Sequence, residues 1–576
     1  MTPSRILRLA LLIALGVAVV MFARQCGTPQ SGADTAPQTG GKLVASYRTE
    51  PTHFNRLVEA RPGARLTALL TQATLLRVDP NTGELVPRLA TEWTGTPDGL
   101  TWTITLRSGV RFSDGTAFTA SDVLFTFQAI YDDRVKSPLA QDMRAKGQPF
   151  QLRAIDDHHI VLTFPSPFGQ GLAILDSVPI LPRHKLQAAF DAGTFRDAWS
   201  PSSNLSEMAG LGPFILKEYV PAQHLRFVRN PNFWRTDATG QKLPYLDELE
   251  VQIVPEQNAE LLRLQSGTTD LTNGGARAED LAMLRDAETA GRVRLVDAGP
   301  AIDVSTLWFN LTPGSKAVAD KPWLAQEAFR RAVSHAVNRQ AIVDTVHLGA
   351  AAVVYGPVSP GHGDWFVPDL GATPFDLARA LTLLTSIGLQ DRNGDGVLDD
   401  ASNRPVEFSL LTQSGHTERE RTSTLVGEQL RQVGIKVNVV PMDQRVVQAR
   451  FGSGDYEAIY YGAQASSKDP TSNRGFWLSN GPMHFWNPNQ LTPGSEWEGR
   501  IDALLQQVAE TMDPAERKRL FTEAQQLLAD HVPALWFAAP HVSVPMSARV
   551  GGARPTVIQP PVLWNAEELF VLGPRR

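Results

Sequence analysis

Cysteine is nearly absent from this sequence of 576 residues, which contains only Cys26. With a single cysteine no intrachain disulfide can form, and a metal site built from several thiolates is excluded. Neither sign of charge is in large excess, because 54 lysine and arginine residues stand against 60 aspartate and glutamate residues, a formal net charge of −6. This balance offers no attraction to phosphate backbones, so nucleic-acid binding is not expected.

Long hydrophobic runs are also scarce, since only residues 9–23 form one. This run is short for a bilayer-spanning helix, which needs about 20 apolar residues, and suits the core of a signal peptide. We expect residues 1–25 to be a signal peptide or an N-terminal anchor, and residues 26–41 to be a flexible linker. Cys26 is the expected lipid-attachment residue; an uncleaved anchor and cleavage elsewhere are the alternatives. The rest of the chain is expected to work outside the cytoplasm, in the periplasm or at the cell surface.

Signatures of common hydrolases are missing as well. The chain has no His-Glu-x-x-His zinc helix, no Gly-x-Ser-x-Gly elbow, no phosphate-binding Gly-rich loop and no Ser-x-x-Lys pair. A binding protein is therefore expected rather than an enzyme. A secreted hydrolase with paired carboxylates is the less favoured alternative, because such pairs have no fixed spacing.

The chain after Lys42 has the patterns of a large α/β protein. Its length exceeds that of one ordinary domain, so two or three lobes are expected. Turn clusters flank residues 100–106, where Leu, Trp and Ile alternate with Thr as in a half-buried strand. Asp513 followed by Pro514 is a strong helix start, and residues 418–433 predict a helix that leads into a strand at 435–440.

A loop of high charge density follows residue 390. Asp391, Asn393 and Asp395 supply oxygens at calcium-loop positions 1, 3 and 5, and Asp399 supplies one at position 9. Ser402 stands where such loops carry a bidentate Glu. The spacing allows a structural calcium ion, and the alternative is a solvated hairpin tip without metal; no other cofactor is expected.

Aromatic and amide side chains are concentrated in residues 460–497. They are interleaved with Gly, Pro, Ser and Asn rather than spaced at a helical or strand period. Rigid aromatic walls with a few polar groups suit a small-molecule site. The alternative is a loop that folds over its own aromatic side chains.

Several blocks resemble the extracytoplasmic solute-binding proteins of the peptide/nickel ABC-transporter family, of the dipeptide- and oligopeptide-binding type. Residues 85–93 are similar to the family's lvPxLAxxW segment, residues 97–102 to its pDGlty turn, and residues 106–123 to its LRxGvkFhDG…DV block. Further similarities follow in the same order at residues 212–214, 230–234, 309–311 and 329–339 and in the segment after Asp513. The resemblance covers nearly the whole chain after residue 42.

This resemblance implies a two-lobed venus-flytrap periplasmic-binding-protein fold of class α/β, with an extra β-rich subdomain on the first lobe. We expect the following division of the chain: residues 42–62, 190–302 and 540–576 for the core of lobe I, 63–189 for the extra subdomain, and 303–539 for lobe II. The implied function is a receptor, expected to be a monomer, that binds an oligopeptide-like solute between the lobes. Hinge closure would present it to the membrane permease subunits of an ABC importer.

One departure from the family bears on the ligand. In peptide-binding relatives an Asp shortly before an Asp-Pro or Glu-Pro dipeptide pairs with the peptide's α-ammonium group. Alignment on Asp469-Pro470 places Ser466 at that position. A free-amine di- or tripeptide is therefore less expected than a longer or blocked peptide, an oligosaccharide or a metal chelate. A sensor that works without a transporter is a further alternative.

The candidate ligand residues follow from the resemblance and from the aromatic segment. Most of them come after the strand predicted near residue 460, with Trp477 and Trp486 as stacking walls; two weaker candidates lie near the first strand. The full set is Tyr461, Gln464, Ser466, Asp469, Trp477, Trp486, His53 and Phe54.

Overall fold

The structure is a computed structural model, and it describes residues 36–272, 274–462 and 467–573. In the first half of the chain the strands are β1 (Lys42–Tyr47), β2 (Leu76–Val78), β3 (Leu85–Pro87), β4 (Ala90–Gly95), β5 (Thr101–Leu106), β6 (Arg144–Ala145), β7 (Gln148–Pro149), β8 (Gln151–Asp156), β9 (His159–Thr163), β10 (Phe214–Val220), β11 (His224–Arg229), β12 (Glu248–Ile253) and β13 (Val293–Pro300). The helices there are α1 (Pro62–Thr71), α2 (Ala120–Tyr131), α3 (Arg183–Asp191), α4 (Gln257–Gln265) and α5 (Leu281–Thr289).

The second half continues the alternation of strands and helices. Its strands are β14 (Ser305–Phe309), β15 (Ala351–Val353), β16 (Glu407–Gln413), β17 (Lys436–Met442), β18 (Ala458–Gly462), β19 (Ala534–Trp536), β20 (Ala538–Ser547), β21 (Val550–Gly551) and β22 (Phe570–Val571). Its helices are α6 (Lys316–Asp320), α7 (Glu327–Ala336), α8 (Arg339–Thr345), α9 (Leu377–Ser386), α10 (Thr417–Arg431), α11 (Gln444–Ser453), α12 (Arg474–Trp477), α13 (Glu496–Glu510) and α14 (Pro514–His531).

Lobe I is built on a sheet with the order β10-β11-β12-β1, in which β1 and β12 are parallel. Leu271 forms bridges to both β1 and β20, and β20 pairs with β13. The sheet therefore combines strands from the beginning and from the end of the chain. A separate four-stranded antiparallel sheet, β4-β5-β9-β8, forms the subdomain. One continuous hydrophobic cluster, which includes Leu43, Ile104 and Val544, joins the subdomain to the lobe.

Lobe II contains a mixed five-stranded sheet with the order β17-β16-β18-β14-β19. Successive side chains along β14 point to opposite faces of this sheet, as strand geometry requires, and lobe II has a hydrophobic core on each face. Leu307 and Phe309 join one hydrophobic cluster, and Trp308 joins the cluster on the opposite face. The two-lobed α/β fold with a β-rich subdomain is confirmed, while the predicted domain bounds stay a prediction.

The hinge consists of two neighbouring crossing segments. Strand β20 pairs with β15 of lobe II through its first residues and with β13 of lobe I through its later ones. Beside it, residues 301–304 lead from β13 into β14, and the Ala301 N–H donates to the Pro540 carbonyl at 2.8 Å. Two adjacent strands of this kind allow one lobe to rotate against the other without breaking either core.

The lobes also contact each other away from the hinge. The Gly169 N–H of the subdomain donates to the Ala509 carbonyl at the end of α13 at 2.6 Å. Nearby, Lys146 forms an ion pair with Glu510 at 3.1 Å. We call this contact between residues 146–171 and 508–513 the lobe latch; a contact between the lobes away from the hinge is what a closed form requires.

Local sequence signals account for several element boundaries. Asp513 caps α14 by accepting from the Glu516 N–H at 2.9 Å, and Pro514 occupies the first turn. Thr119 is the N-cap of α2, and its N–H donates to the Asp122 carboxylate at 3.0 Å, which satisfies a donor that the helix itself leaves free. Within the described ranges, no helix is both long and apolar enough to cross a bilayer.

Candidate functional site

The candidate site lies at the edge of the lobe II sheet that adjoins the hinge. The parallel strands β16 and β18 end there at Gln413 and Gly462, and the antiparallel strand β14 begins there at Ser305. Helix α10 starts at the same edge. Ligands of open α/β sheets bind outside the carboxyl ends of the strands, so this edge faces the expected binding cleft.

Arg419 organises the polar side chains of this edge. Its Nε donates to the Ser305 hydroxyl at 3.3 Å, and its Nη1 donates to the Gln413 side-chain carbonyl at 2.7 Å. The guanidinium carbon lies 4.4 Å from the centre of the Tyr461 ring, within the range of a cation–π interaction. We refer to Asp303, Ser305, Gln413, Arg419 and Tyr461 as the sheet-edge cluster.

Gly462 makes room for this arrangement. A Cβ atom at residue 462 would lie 2.7 Å from Nη2 of Arg419 and 3.6 Å from Oδ1 of Asp303. The guanidinium and carboxyl groups therefore approach the backbone of β18 from the same side. Glycine at the strand end is what permits this close approach.

Two acidic side chains in this region have raised pKa values. Burial raises the pKa of Asp303 to about 7, although Arg419 acts in the opposite direction. Burial also raises the pKa of Glu418, again opposed by Arg419, and Glu279 of lobe I raises it further. Carboxylates from both lobes therefore act on one another across this edge. Sequence patterns alone did not single out Asp303, Glu418 or Arg419; the rule that ligands bind beyond the carboxyl ends of strands is the signal that could have found this edge.

Tyr461 is the predicted ligand residue that the structure places in the sheet-edge cluster. Its hydroxyl accepts hydrogen bonds from the amide groups of Gln444 and Gln448 at 3.4 and 3.3 Å. The ring is partly exposed, with Phe451 at one edge and Arg419 over its face. Its contact with ligand stays a prediction.

Asp469 lies nearby but already has partners. Its Oδ1 accepts from the Thr471 N–H at 2.9 Å, and its Oδ2 forms an ion pair with Nη2 of Arg517 at 3.0 Å. It lines a cavity of about 40 Å³ together with Trp477 and His362. That volume suits a small number of water molecules, and the ligand role of Asp469 stays a prediction.

The two predicted stacking walls lie in the core of lobe II. Trp486 is 2% exposed and packs parallel to Trp308 with ring centres 6.1 Å apart. Trp477 is 4% exposed and contacts Phe521 edge-on at 4.9 Å. Both rings belong to a segment that folds over its own aromatic side chains, and their role as walls of the ligand site stays a prediction.

We expect Trp486→Phe to affect stability more than ligand affinity. The indole Nε1 of Trp486 donates to Oε1 of Glu498 at 3.0 Å. Loss of this bond to a charged acceptor costs about 1.5–3 kcal/mol in the free energy of unfolding. Chemical denaturation measures this loss, and Trp497→Phe, at a partly exposed ring, serves as the control with a smaller effect. A normal denaturation midpoint together with lost affinity would contradict the core assignment.

His53 and Phe54 also lie in a core, that of lobe I. His53 Nε2 donates to the Arg196 carbonyl at 2.9 Å while Nδ1 accepts from the Asn55 N–H, and burial lowers the pKa of the ring. Phe54 is 1% exposed and meets Tyr219 edge-on. Both side chains are packed in this core, and their predicted ligand role stays a prediction.

Some predicted residues lie outside the described residues. Gln464 and Ser466 fall between the second and third described ranges, and Cys26 precedes the first. The predicted signal peptide or anchor, residues 1–25, and most of the linker are in the same position.

The loop predicted to bind calcium is held by hydrogen bonds between its own carboxylates and backbone N–H groups. Asp391 accepts hydrogen bonds from the N–H groups of Gly394 and Gly396, at 2.7 and 3.0 Å. Asp395 accepts from the Val397 N–H, and Asp399 accepts from the Arg392 N–H. In the part of the chain that the structure covers, no three His, Cys, Asp or Glu side chains are grouped so that they could hold a metal ion.

We therefore expect calcium to leave the stability of the protein unchanged. Backbone donors already occupy the carboxylates that a calcium ion would need, including both oxygens of Asp391. Thermal melting with excess Ca²⁺ and with a chelator should give the same midpoint. A saturable rise with Ca²⁺ that Asp391→Asn abolishes would instead establish the calcium site that the spacing allows.

Comparison with known proteins identifies the family. Residues 84–485 match the family described as bacterial extracellular solute-binding proteins, family 5 (middle), which is more than half of the chain. The chain belongs to this family. Family 5 proteins are solute-binding proteins that work outside the cytoplasm, so the predicted extracytoplasmic location is confirmed at the level of the family.

Individual family 5 proteins resemble the chain over most of its length. A probable ABC transporter-binding protein of Deinococcus radiodurans is 26% identical over 570 residues, covering 93% of each chain. The oligopeptide-binding protein AppA of Bacillus subtilis is 25% identical over 93% of this chain and 94% of its own. All of these relatives are binding proteins rather than enzymes.

Solved family 5 structures share the fold. AppA in complex with a nonapeptide matches with a TM-score of 0.69 at 23% identity, covering 93% of this chain and all of that chain. The periplasmic binding protein MelB of Agrobacterium fabrum, in complex with stachyose, matches with a TM-score of 0.70 at 23% identity, covering 94% and 86%. The same fold therefore holds peptides in one protein and an oligosaccharide in another.

Proposed function

We propose that this chain is a receptor that binds an oligopeptide-like solute between its lobes and presents it, by hinge closure, to the permease subunits of an ABC importer. It acts as a monomer tethered to the membrane through its N-terminus, and it catalyses no reaction. The observation that carries the proposal is the hinge, which brings the carboxyl edge of the lobe II sheet toward lobe I. Glu279 of lobe I and Glu418 of lobe II already interact electrostatically across that gap.

Charge at the cleft favours a peptide over a neutral sugar. Asp303, Glu418 and Arg419 lie at the sheet edge, and buried charges of this kind are retained where a charged or strongly polar ligand is recognised. The similarity to AppA, which holds a nonapeptide, supports the same choice. Recognition of the peptide main chain would tolerate many side chains.

An oligosaccharide is the second candidate, because MelB shares the fold and holds stachyose. Metal chelates and a sensor role without a transporter rest on the fold alone. The class of ligand that stabilises the protein distinguishes these alternatives.

Thermal melting of the full-length chain with three ligand mixtures tests the proposal. A ligand that binds only the folded protein raises the melting temperature in a concentration-dependent way. We expect a casein peptide digest to raise it, and a mixture of raffinose and stachyose or nickel–histidine to leave it unchanged. Stabilisation by the sugars alone would replace the peptide by an oligosaccharide, and stabilisation by nickel–histidine alone would replace it by a metal chelate.

A further inference from the structure

We propose that the carboxylate of Asp303 receives a cationic amino group of the bound solute. This inference rests on the proposed function and makes it more specific, because it selects peptides with a free ammonium group. It assigns a binding role to a residue of the hinge segment.

Asp303 is placed where the hinge enters lobe II. It lies between β13 and β14, one residue after the apolar Ile302, which lines the small cavity on the opposite side of the chain. A Cβ atom on Gly462 would lie 3.6 Å from its Oδ1, so the carboxyl group faces the end of β18. The group is thus directed into the sheet-edge cluster and not into the lobe II core.

The carboxyl group of Asp303 is enclosed, and one of its two oxygens lacks a partner. Its Oδ1 atom is shielded from solvent and has no hydrogen-bond partner among the residues that the structure covers. The residue as a whole stays partly exposed. An unpaired, desolvated carboxylate destabilises a folded protein, and such a group persists at sites where a ligand compensates it.

Arg419 does not neutralise Asp303 by contact. Its Nε and Nη1 atoms donate to Ser305 and Gln413, and its guanidinium plane lies against the Tyr461 ring. It forms no ion pair with Asp303 within 4 Å in the described ranges, although its charge lowers the pKa of Asp303 from a distance. The arginine is therefore fixed by other partners, and Asp303 remains available to a ligand.

The other charges near Asp303 are acidic. Glu418 faces it from the first turn of α10, and Glu279 of lobe I faces Glu418. Glu279 is already paired with Arg277 at 3.5 Å, which leaves Asp303 and Glu418 against the guanidinium of Arg419. When both are ionised, this part of the cleft carries a net negative charge. A cation that enters it gains from both carboxylates, whereas a carboxylate of the ligand would be repelled.

A primary ammonium group fits these features best. It is compact, it donates three hydrogen bonds, and a single buried carboxylate oxygen can accept one of them. Peptides supply such a group either at the N-terminus or on a lysine side chain. The two sources differ in chemistry, so selective blocking can separate them.

Three casein peptide pools test the inference on the full-length chain. The first pool is a tryptic digest; in the second, casein is acetylated before digestion, which blocks lysines but leaves new α-amino groups free. The third pool is acetylated after digestion, so that all amines are blocked. Retained peptides are quantified by mass spectrometry for the wild type, Asp303→Asn and the control Asp320→Asn, whose exposed carboxylate pairs with Lys316 on the surface of lobe II.

We expect the wild type and Asp320→Asn to bind the blocked pool about 10–100-fold more weakly than the unmodified pool, the range for a lost charged hydrogen bond. Asp303→Asn should bind all pools alike. Strong binding of the second pool identifies an α-ammonium group, and binding of the first pool alone identifies lysine. Without ligand, Asp303→Asn should melt at or above the wild-type temperature, because an unpaired desolvated charge has been removed.

Different failures have different meanings. If Asp303→Asn keeps the preference for free amines, or if the wild type prefers blocked peptides, the role of Asp303 is refuted while peptide binding stands. A lower melting temperature of ligand-free Asp303→Asn would show that the carboxylate serves the fold, which also overturns the inference. If the wild type retains no peptide from any pool, the proposed function fails and the inference fails with it.

Discussion

Replacing Glu567 by glutamine lowers the free energy of unfolding by about 3–5 kcal/mol, the range for breaking a buried ion pair. Glu567 lies in the short 3₁₀ segment Leu563–Glu568, and its side chain is 4% exposed. Arg88 contacts its Oε1 at 2.8 Å, Arg235 contacts the same oxygen, and Arg77 lies at 3.9 Å. The variant leaves these three cations without their central anion.

The position of this cluster explains why the effect is large. Arg77 lies in β2 and Arg88 directly follows β3, both shortly before the subdomain sheet begins. Arg235 belongs to lobe I, and Glu567 comes from the end of the chain. One carboxylate therefore ties three separate segments together. Glu523→Gln is the control, because this side chain is 37% exposed and its ion pair with Arg500 is a surface pair, which contributes at most about 1 kcal/mol.

The same prediction has a pH dependence. The surrounding arginines hold the pKa of Glu567 at about 2, well below its ordinary value of 4.5. A depressed pKa stabilises the fold above the unfolded-state value, and that stabilisation is lost as the pH falls toward the folded-state value. Urea denaturation should therefore show the full difference from wild type at pH 7 and a shrinking difference below about pH 4. Equal stability of the two proteins at pH 7 would contradict this account of the cluster.

Replacing Gly169 by alanine weakens ligand binding by about 10–100-fold, because it opposes the closed form. A Cβ at this position would lie 2.5 Å from the Val508 carbonyl oxygen and 2.8 Å from that of Thr511. Both obstacles are backbone atoms of lobe II, so rotation of a side chain cannot remove the clash. Overpacking of this kind costs about 1–3 kcal/mol, and the cost falls only on the state in which the lobes touch.

The substitution is expected to destabilise the closed form and not the open form, because Gly169 lies in the lobe latch. Gly169 belongs to the subdomain, and its partners belong to α13 and the turn before α14. When the hinge opens, the two sides separate, and the alanine methyl group then meets solvent. We therefore expect unchanged stability of the open form, a faster ligand dissociation rate and a larger radius of gyration in ligand-saturated solution.

Gly452→Ala is the control for Gly169→Ala. A Cβ at Gly452 has no heavy atom within 4 Å, and the residue lies in α11, away from the latch. Fluorescence titration with a peptide digest measures affinity, and small-angle scattering measures closure. Wild-type affinity and dimensions for Gly169→Ala would show that the latch is not formed in the liganded state.

Local signals predicted much of the fold. Alternation predicted the strand that forms β5, with Ile104 and Leu106 fully buried, and Asp513 with Pro514 predicted the start of α14. The helix predicted at residues 418–433 is α10, Thr417–Arg431, and the strand after it is β17. These features depend on neighbours within a few residues, which is why sequence patterns contain them.

The candidate site depended on contacts that sequence patterns do not contain. Asp303, Arg419 and Tyr461 meet because β14, α10 and β18 end at one sheet edge, and no periodicity relates their positions. In the aromatic segment around Trp486, turns carry the rings into the core around Trp308, although its composition also suits a binding wall. Composition alone cannot distinguish such a segment from an exposed binding wall.

Native mass spectrometry of the full-length chain purified from rich medium tests the central claim most directly. The claim is that the cleft between the lobes holds a peptide, so the folded protein should carry extra mass that denaturation releases as a ladder of short peptides with free amino groups. Released oligosaccharides, or a protein that is always empty and gains no stability from any peptide pool, would contradict it.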